Sequence, residues 1–304
     1  MKIVRDINKT SFNNSITASI GSFDGIHIGH QKILNNIVKE SKKNKTKSAL
    51  ITFSPIPKIY FSNENFEILT INKKISLLDN YNLDYLILLR FNKKLMSMSS
   101  KEFIEDLLID KINIKSLTVG DDFRFGVNQS GNVDNLKEYS SKGFFSLNIE
   151  EKHKFNDSRI SSSLIRDAII KNDFALASKM LGRPYSISGK IMHGDKRGSK
   201  IGFPTANIKL KPNILLGGVY AVSTYIDNKQ YYGVANIGYK PTFNGKKYIF
   251  EAHILNFSKN IYGERLEFDI FSKIRDTKKF NDINELIKHI NNDINSAKKI
   301  FNIK

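Results

Sequence analysis

The sequence predicts two domains: an α/β domain with a parallel, doubly wound sheet, then a small antiparallel β-barrel that ends in one helix. Up to Gly182, short apolar segments alternate with segments of helical spacing. Beyond Gly182, strand-like segments follow one another without helices between them. The 304 residues are enough for two domains of ordinary size. We therefore expect the domains at residues 1–182 and 183–304.

The first domain is predicted from five apolar strands and the helical patterns between them. One helical pattern is opened by the capping box Ser99-x-x-Glu102. Residues 161–181 are expected to form two short helices, with Asp173 as the N-cap of the second and Gly182 as its stop. The predicted strands are residues 16–20, 48–53, 85–89, 116–119 and 144–149.

The second domain is predicted from strands that Gly and Pro turns separate. A single apolar stripe at helical spacing then closes the chain, which is typical of an amphipathic helix. The predicted strands are residues 185–192, 219–226, 231–237, 248–255 and 265–271. The stripe consists of Ile283, Leu286, Ile287, Ile290, Ile294, Ala297 and Phe301.

Composition excludes several classes of protein. The sequence contains no cysteine, which rules out disulfides, a cysteine nucleophile and thiolate metal sites. The N-terminus lacks the apolar core of a signal peptide, and no apolar run is long enough to span a membrane, so we expect a cytoplasmic protein without a membrane partner. The net charge of +18 reflects lysines spread along the whole chain, so we expect no nucleic-acid partner.

The segment from Gly21 to His30 carries the clearest chemical signal, since it links the first predicted strand to the first predicted helix. Glycines at 21, 25 and 29 allow close approach to a ligand, and the N–H groups of a helix start attract phosphate. His27 and His30, three residues apart, could both donate to phosphate oxygens and stabilise charge as pyrophosphate leaves. The alternatives are an ordinary turn with surface histidines, or a zinc site that also uses Asp24.

The string Gly-x-Phe-Asp-Gly-x-His-x-Gly-His resembles the nucleotidylyltransferase motif of bacterial bifunctional riboflavin kinase/FAD synthetases. Residues 120–126 resemble that family's flavin and nucleotide segment, and residues 161–166 resemble its ATP-phosphate segment. Residues 54–57, Ser-Pro-Ile-Pro, depart from the family, which usually has an acidic residue and often a histidine at the first and third positions. The resemblance implies phosphate binding by Gly21, Phe23, Gly25, Gly29, Ser162, Ser163 and Arg166, and flavin binding by Asp122, Phe123 and Phe125. For Arg166, the alternative is a solvated charge on a helix.

Residues 194–207 resemble the riboflavin-kinase signature, whose core is Gly-Phe-Pro-Thr-Ala-Asn. The resemblance implies that Thr205 and Asn207 hold Mg²⁺ with ATP, while Gly194 and Gly198 belong to the loop over the phosphates; hydroxyl and amide oxygens suit Mg²⁺. Glu251 is implied as the base that accepts the proton of the ribityl 5′-hydroxyl, although a solvent-facing carboxylate is the alternative. His253 is expected to be structural, and Arg275 to lie near the flavin.

The resemblance covers the chain from about Ser15 through Phe301 and implies that the protein phosphorylates riboflavin to FMN and adenylylates FMN to FAD. The implied partners are riboflavin, FMN and ATP, with Mg²⁺ accompanying ATP, FMN and FAD as products, and a monomer or weak homo-oligomer. One alternative is a riboflavin kinase whose adenylylation site is impaired by the Ser54–Pro57 departure. Another is a flavin- or RNA-binding regulator without catalysis, which RNA binding across a salt series would reveal.

Overall fold

The computed structural model describes residues 1–61, 67–150, 154–155, 158–194, 198, 201–210, 216–242, 245–280 and 282–303. The chain separates into two compact units, Met1–Ser162 and Ser163–Lys304. The two short helices after Ser161 therefore group with the second unit, where Phe174 packs edge-on against Tyr220 with ring centroids 5.8 Å apart. Compactness alone does not assign these helices to an activity, so the domain ranges 1–182 and 183–304 stay predictions.

The first unit is built on a six-stranded, entirely parallel sheet with the strand order β1-β4-β3-β2-β5-β6. This confirms the predicted doubly wound sheet. Strand β1 was missed because three residues on the sheet edge are too few to show a pattern. The strands are β1 Lys2–Val4, β2 Ile16–Ile20, β3 Lys47–Ser54, β4 Tyr85–Arg90, β5 Ile114–Gly120 and β6 Ser146–Glu150, and a short hairpin pairs β7 Lys154–Phe155 with β8 Ser158–Arg159.

Helices connect these strands, and most of those in the described residues begin at a residue whose side chain caps them. Ser99 and Glu102 form the predicted capping box at the start of α5, which continues as a π-helical segment, Phe103–Lys111. The helices are α1 Ile28–Lys43, α2 Pro57–Phe61, α3 Ile71–Leu78, α4 Lys93–Met96, α5 Ser100–Glu102 and α6 Val133–Ser141.

The central strands are buried on both faces, as expected for a parallel sheet covered by helices. All five residues of β2 are buried, including the polar Thr17 and Ser19. The apolar core joins β2, β4 and β5 to the π-helical segment through Phe103, Ile104 and Leu108. The carboxyl end of β2 is therefore packed on both faces of the sheet.

The second unit is an antiparallel barrel with the strand order β10-β13-β12-β11-β14-β9, as predicted. The N–H of Met192 donates to the carbonyl of Asn207 at 2.9 Å and brings the two edge strands together. Strand β10 was missed because four residues are too few to show a pattern, and its first two, Ala206 and Asn207, end the Gly-Phe-Pro-Thr-Ala-Asn signature. The strands are β9 Tyr185–Lys190, β10 Ala206–Lys209, β11 Gly218–Ile226, β12 Lys229–Thr242, β13 Gly245–Ile254 and β14 Arg265–Arg275.

The described residues of the second unit also form the helices α7 Ser162–Ile170, α8 Phe174–Leu181 and α9 Ile283–Phe301. Asp173 caps α8 and Gly182 ends it in a left-handed conformation, both as predicted. The two ends of the apolar stripe of α9 differ in burial. Ala297 packs on the barrel residues Val219, Ala221 and Val234, whereas Ile283 at the other end is 62% exposed.

Candidate active sites

The first candidate site lies at the carboxyl ends of β2 and β5, where the strand order reverses direction. Strand β2 pairs with β3 on one side and β5 on the other, so the connections after β2 and β5 leave to opposite sides of the sheet. Ligands of doubly wound sheets bind at such a point. A cleft of about 1000 Å³ opens there, lined by residues that include Gly21, Phe23, His27, Gly29, His30, Asp122, Phe123, Phe125 and Ser162.

The turn between β2 and α1 has an unusual backbone. Phe23, Gly25 and Ile26 all have positive φ, at 44°, 87° and 43°. Glycine accommodates this conformation, but an aromatic and a β-branched residue adopt it only where their surroundings enforce it. The buried Asp24 supplies part of that restraint, since its carboxylate accepts from the N–H groups of Ile68, at 3.0 and 3.2 Å, and Leu69, at 3.4 Å.

His27 is the N-cap of α1. Its Nδ1 accepts a hydrogen bond of 3.3 Å from the backbone N–H of His30. A neutral imidazole whose Nδ1 accepts carries its proton on Nε2, so His27 retains one N–H donor. The backbone thereby selects the tautomer of His27.

His30 stands between two rings, with centroids 3.6 Å from His27 and 4.4 Å from Phe23. Burial lowers the pKa of His30 well below 6.5, and electrostatic interactions with His27 and Lys74 lower it further. Within the described residues, its buried Nδ1 has no hydrogen-bonding partner. These surroundings disfavour a second proton, so His30 is neutral at physiological pH.

The interpretation of His27 and His30 as ordinary surface residues is therefore wrong. The zinc alternative is not supported either, because the carboxylate of Asp24 is bound by two backbone N–H groups. Nor does the described part of the chain contain any group of three or more His, Asp or Glu side chains arranged to hold a metal.

The loop after β5 brings the predicted flavin segment to the same cleft. Gly126 has a φ of 72°, and a Cβ there would lie 2.9 Å from the backbone nitrogen of Ser100. Phe125 is buried against Phe103 and stacks on Phe123, with centroids 4.9 and 5.5 Å apart. Phe123 is more accessible, so it has the freer aromatic face, while Phe125 mainly supports it.

The phosphate residues predicted in segment 161–166 occupy different surroundings. Ser162 lines the cleft, and its hydroxyl donates to the carbonyl oxygen of Asp24 at 2.7 Å. Ser163 is exposed. Arg166 is only 5% exposed, so the alternative that it is a solvated helix charge is wrong.

The second candidate site is a pocket of about 280 Å³ in the barrel unit. Strand pairing places Glu251 of β13 opposite Asn207 of β10 on one side and Asn236 of β12 on the other. Glu251 lines this pocket with Thr205, Gly198 and Asn236. Asn236 was not predicted as a site residue, since its place beside Glu251 depends on pairing between strands.

Thr205 and Asn207 are joined directly. The Asn207 amide nitrogen donates to the Thr205 carbonyl oxygen at 3.1 Å and to its hydroxyl at 3.3 Å. With Nδ2 engaged in this way, Oδ1 is the Asn207 atom suited to a metal, and the hydroxyl oxygen of Thr205 is a second candidate ligand. Two neutral oxygen donors fit Mg²⁺, which retains several waters and bridges phosphates.

The predicted glycines of this loop are required by close contacts. A Cβ on Gly194 would lie 2.6 Å from Asn207 Nδ2, and one on Gly198 would lie 2.3 Å from the Phe203 carbonyl oxygen. His253 supports the same loop through Nδ1, which is 2.9 Å from the Pro204 carbonyl oxygen, in agreement with a structural role. Residues 195–197, 199–200 and 243–244 of the resembling segments lie outside the described residues.

Comparison with known proteins assigns both units to families. The FAD synthetase family model matches residues 9–164, and the riboflavin kinase model matches residues 181–301. A relative from Buchnera aphidicola of Schizaphis graminum is 42% identical, with 100% of each chain covered. It is named bifunctional riboflavin kinase/FMN adenylyltransferase. The chain belongs to this family.

Two more distant relatives carry the same name. The Haemophilus influenzae protein is 35% identical over 99% of this chain and 100% of its own, and the Escherichia coli K12 protein is 33% identical over 100% and 99%. Among solved structures, a Streptococcus pneumoniae protein described as a macrolide-efflux protein aligns with a TM-score of 0.82 and 29% identity, covering 97% of this chain and 98% of that one. Within the described part of our chain, no helix has the length and apolar character needed to cross a membrane.

The departure from the family at residues 54–57 follows strand β3. Ile56 is buried at 2% exposure, and neither Ser54 nor Ile56 is among the residues that line the adenylylation cleft. Pro57 and Lys58 of α2 do line it. Lys58 is thus a basic side chain at the cleft that the sequence analysis overlooked.

Arg275, predicted to lie near the flavin, lines the kinase pocket, and its guanidinium is bound by the carboxylate of Asp293. Its Nε and one terminal nitrogen donate to the two carboxylate oxygens of Asp293, at 2.8 and 2.7 Å. Asp293 belongs to α9, and Leu286 and Ile290 of the same helix also line the pocket. The ion pair therefore fastens one wall of the pocket to the end of β14.

Proposed function

We propose that the chain phosphorylates riboflavin to FMN in the barrel unit and adenylylates FMN to FAD at the parallel sheet. Both reactions use ATP. The observation that carries the proposal is the presence of two separate clefts, each of which gathers the residue types that one reaction requires. The proposed roles of individual residues follow from their chemistry and positions.

Adenylylation needs stabilisation of charge on the α-phosphate while pyrophosphate leaves. The neutral His27 donates through Nε2 at the start of α1, where the helix also presents free N–H groups. His30, stacked beside it, contributes a second neutral ring at the same end of the helix. Fixed donors of this kind act without reorganisation, which is the main source of their effect. Phe123 supplies an aromatic face for the flavin.

Phosphorylation of riboflavin needs a proton acceptor and charge neutralisation near the transferred group. Glu251 accepts the proton of the ribityl 5′-hydroxyl, and Asn207 and Asn236 on the flanking strands hold that position in register. Thr205 and Asn207 hold Mg²⁺ with ATP. The metal ion, when bound, neutralises charge on the phosphates, and the protein contributes chiefly positioning.

We further propose that the protein acts without a nucleic-acid partner and as a monomer or weak homo-oligomer. Lysines are spread along the whole sequence, so the net charge of +18 does not require a polyanionic partner. The phosphate-binding roles of Ser163 and Arg166 also stay proposals, supported by the family resemblance and by the burial of Arg166.

A chromatographic assay of the flavins formed from riboflavin, ATP and Mg²⁺ tests the proposed function. FMN and FAD together are the expected products. No FMN from riboflavin would contradict the kinase assignment. No FAD, even with FMN supplied as substrate, would contradict the adenylyltransferase assignment.

A second candidate, a kinase with an impaired adenylylation site, is favoured by one observation. Ser54 and Ile56 provide neither carboxylate nor imidazole to the cleft. Ser54→Asp, at an exposed position, tests this candidate without disturbing the buried Ile56. A large gain in FAD formation from FMN would support the impaired site, whereas an unchanged rate would show that Lys58 and the histidine turn suffice.

A further inference from the structure

Lys74 is a buried lysine behind the histidine turn. It belongs to α3 and is only 2% exposed. Its Nζ donates to the backbone carbonyl oxygen of Ser22 at 2.8 Å, and the hydroxyl of Thr52 donates to the same oxygen at 3.0 Å. Burying an ammonium group is costly, so a buried lysine needs a partner that compensates.

The Ser22 carbonyl begins the strained part of the turn. The next residue, Phe23, has a φ of 44° and stacks on His30. An energetically unfavourable backbone persists only where neighbouring groups fix it. Lys74 and Thr52 fix the start of the turn, while the Asp24 carboxylate bound to Ile68 and Leu69 fixes its middle.

Charged and titratable groups lie near both His30 and Lys74. Lys74 and His27 face His30, and both lower its pKa. Asp24 and Glu67 face Lys74, and their negative charges partly offset the burial that lowers the pKa of Lys74. Lys74 itself is not among the residues that line the cleft. Its influence on a bound nucleotide must therefore pass through the turn and the imidazoles.

We propose that Lys74 is a positioning residue for adenylylation: its ammonium fixes the Ser22 carbonyl and thereby the turn that presents the stacked rings of His27 and His30. Its positive charge has a second effect, because it adds to the effects of burial and of His27 in disfavouring a second proton on His30. The proposal rests on the proposed adenylyltransferase function. It assigns to Lys74 no contact with ATP or flavin.

Lys74→Met tests both effects, since methionine keeps much of the apolar stem and loses the donor and the charge. We expect kcat for FAD formation from FMN to fall roughly 10- to 100-fold, because small misplacement of catalytic groups is costly. The KM for ATP should change little. FMN formation from riboflavin should be retained, which shows that the barrel unit is folded, and the unchanged KM for ATP in FAD formation shows that the first unit is folded.

A spectroscopic measurement separates positioning from a general loss of structure. In Lys74→Met, NMR titration of the imidazole resonances should show a higher pKa for His30 than in the wild type. Thr52→Val removes the second donor to Ser22 without removing a charge, so it should lower kcat while leaving the pKa of His30 in place. Lys73→Met, which removes a charge from the same helix, is the matched control and should change neither quantity.

Wild-type kcat in Lys74→Met would overturn the inference while leaving the proposed function intact. An unchanged His30 pKa in folded Lys74→Met would overturn the electrostatic part, and a shift of equal size in Lys73→Met would overturn its assignment to Lys74. If Lys74→Met fails to fold, Thr52→Val decides the positioning claim, and wild-type kcat there would overturn it. Failure of the proposed function would appear separately, as a wild-type protein that makes no FAD.

Discussion

The two candidate sites are built in opposite ways. At the parallel sheet, the two histidines that face the cleft come from one strand-turn-helix segment, and Phe23, Gly25 and Ile26 depart from ordinary backbone conformation to present them. In the barrel, Glu251, Asn207 and Asn236 lie on three extended strands and meet only through pairing. The first site therefore depends on the restraint of a single turn, and the second depends on the register between paired strands.

This difference explains what could be predicted from the sequence. The histidine turn is contiguous, and its glycines and helix start are visible in a row of ten residues. The place of Asn236 beside Glu251 is not visible, because it results from contacts between residues far apart in the chain. Hydrophobic periodicity predicted both folds, yet β1 and β10 were missed because three and four residues are too few to establish a period.

Buried charges were the other limit of prediction. A lysine in a helical segment is normally solvated, so nothing in the sequence marked Lys74 as 2% exposed. The same expectation made a solvated charge plausible for Arg166, which is buried. Asp24 was considered as a metal ligand, whereas its carboxylate holds backbone N–H groups. These positions are fixed by tertiary packing.

The largest expected effect comes from a substitution that inactivates the barrel site alone. Glu251→Gln keeps the shape of the side chain but removes the proton acceptor, so FMN formation should fall by about 10²- to 10⁴-fold. FAD formation from supplied FMN should be unchanged. Glu264→Gln, at an exposed position before β14, is the control and should have normal activity. FMN formation at the normal rate in Glu251→Gln would show that the base is another residue.

The reciprocal substitution inactivates only the site at the parallel sheet. His30→Ala removes the central ring of the stack and should lower FAD formation from FMN by about 10²- to 10³-fold, the usual cost of losing one group that stabilises developing charge. FMN formation should persist, and both rates are measured by flavin chromatography. Loss of FMN formation in this variant would be incompatible with two independent sites.

A smaller effect is expected from the Arg275–Asp293 ion pair, and it tests whether the barrel site depends on contacts between residues far apart in the chain. Asp293→Asn leaves Arg275 without its charge partner and should destabilise the barrel unit by about 2 kcal/mol, less than for a fully buried pair because Arg275 is partly exposed. The KM for riboflavin should rise, since α9 lines the pocket. Asp276→Asn, at a side chain that is 88% exposed, should have no comparable effect on thermal unfolding. Equal destabilisation by the two variants would remove the special role of the Arg275–Asp293 pair.

The smallest expected effect is a pH dependence of the stability of the first unit, caused by His30. The unfolded chain binds a proton at His30 near pH 6.5, whereas the folded unit resists that proton because its pKa for His30 is lower. Stability of the first unit is therefore greatest above about pH 6.5 and is lost as the pH falls toward the folded-state pKa. Chemical denaturation of the wild type and of His30→Asn across this range measures it. A wild-type slope that persists in His30→Asn would assign the effect to another group.

The central claim is that each unit carries a complete and separate reaction. Mixing Glu251→Gln protein with His30→Ala protein tests it directly, with riboflavin, ATP and Mg²⁺ as the starting materials. Each variant alone should make little FAD from riboflavin, and the mixture should make it readily, because FMN released by one protein is adenylylated by the other. A mixture that makes no more FAD than the separate variants, although each retains its own single reaction, would contradict independent sites linked by free FMN.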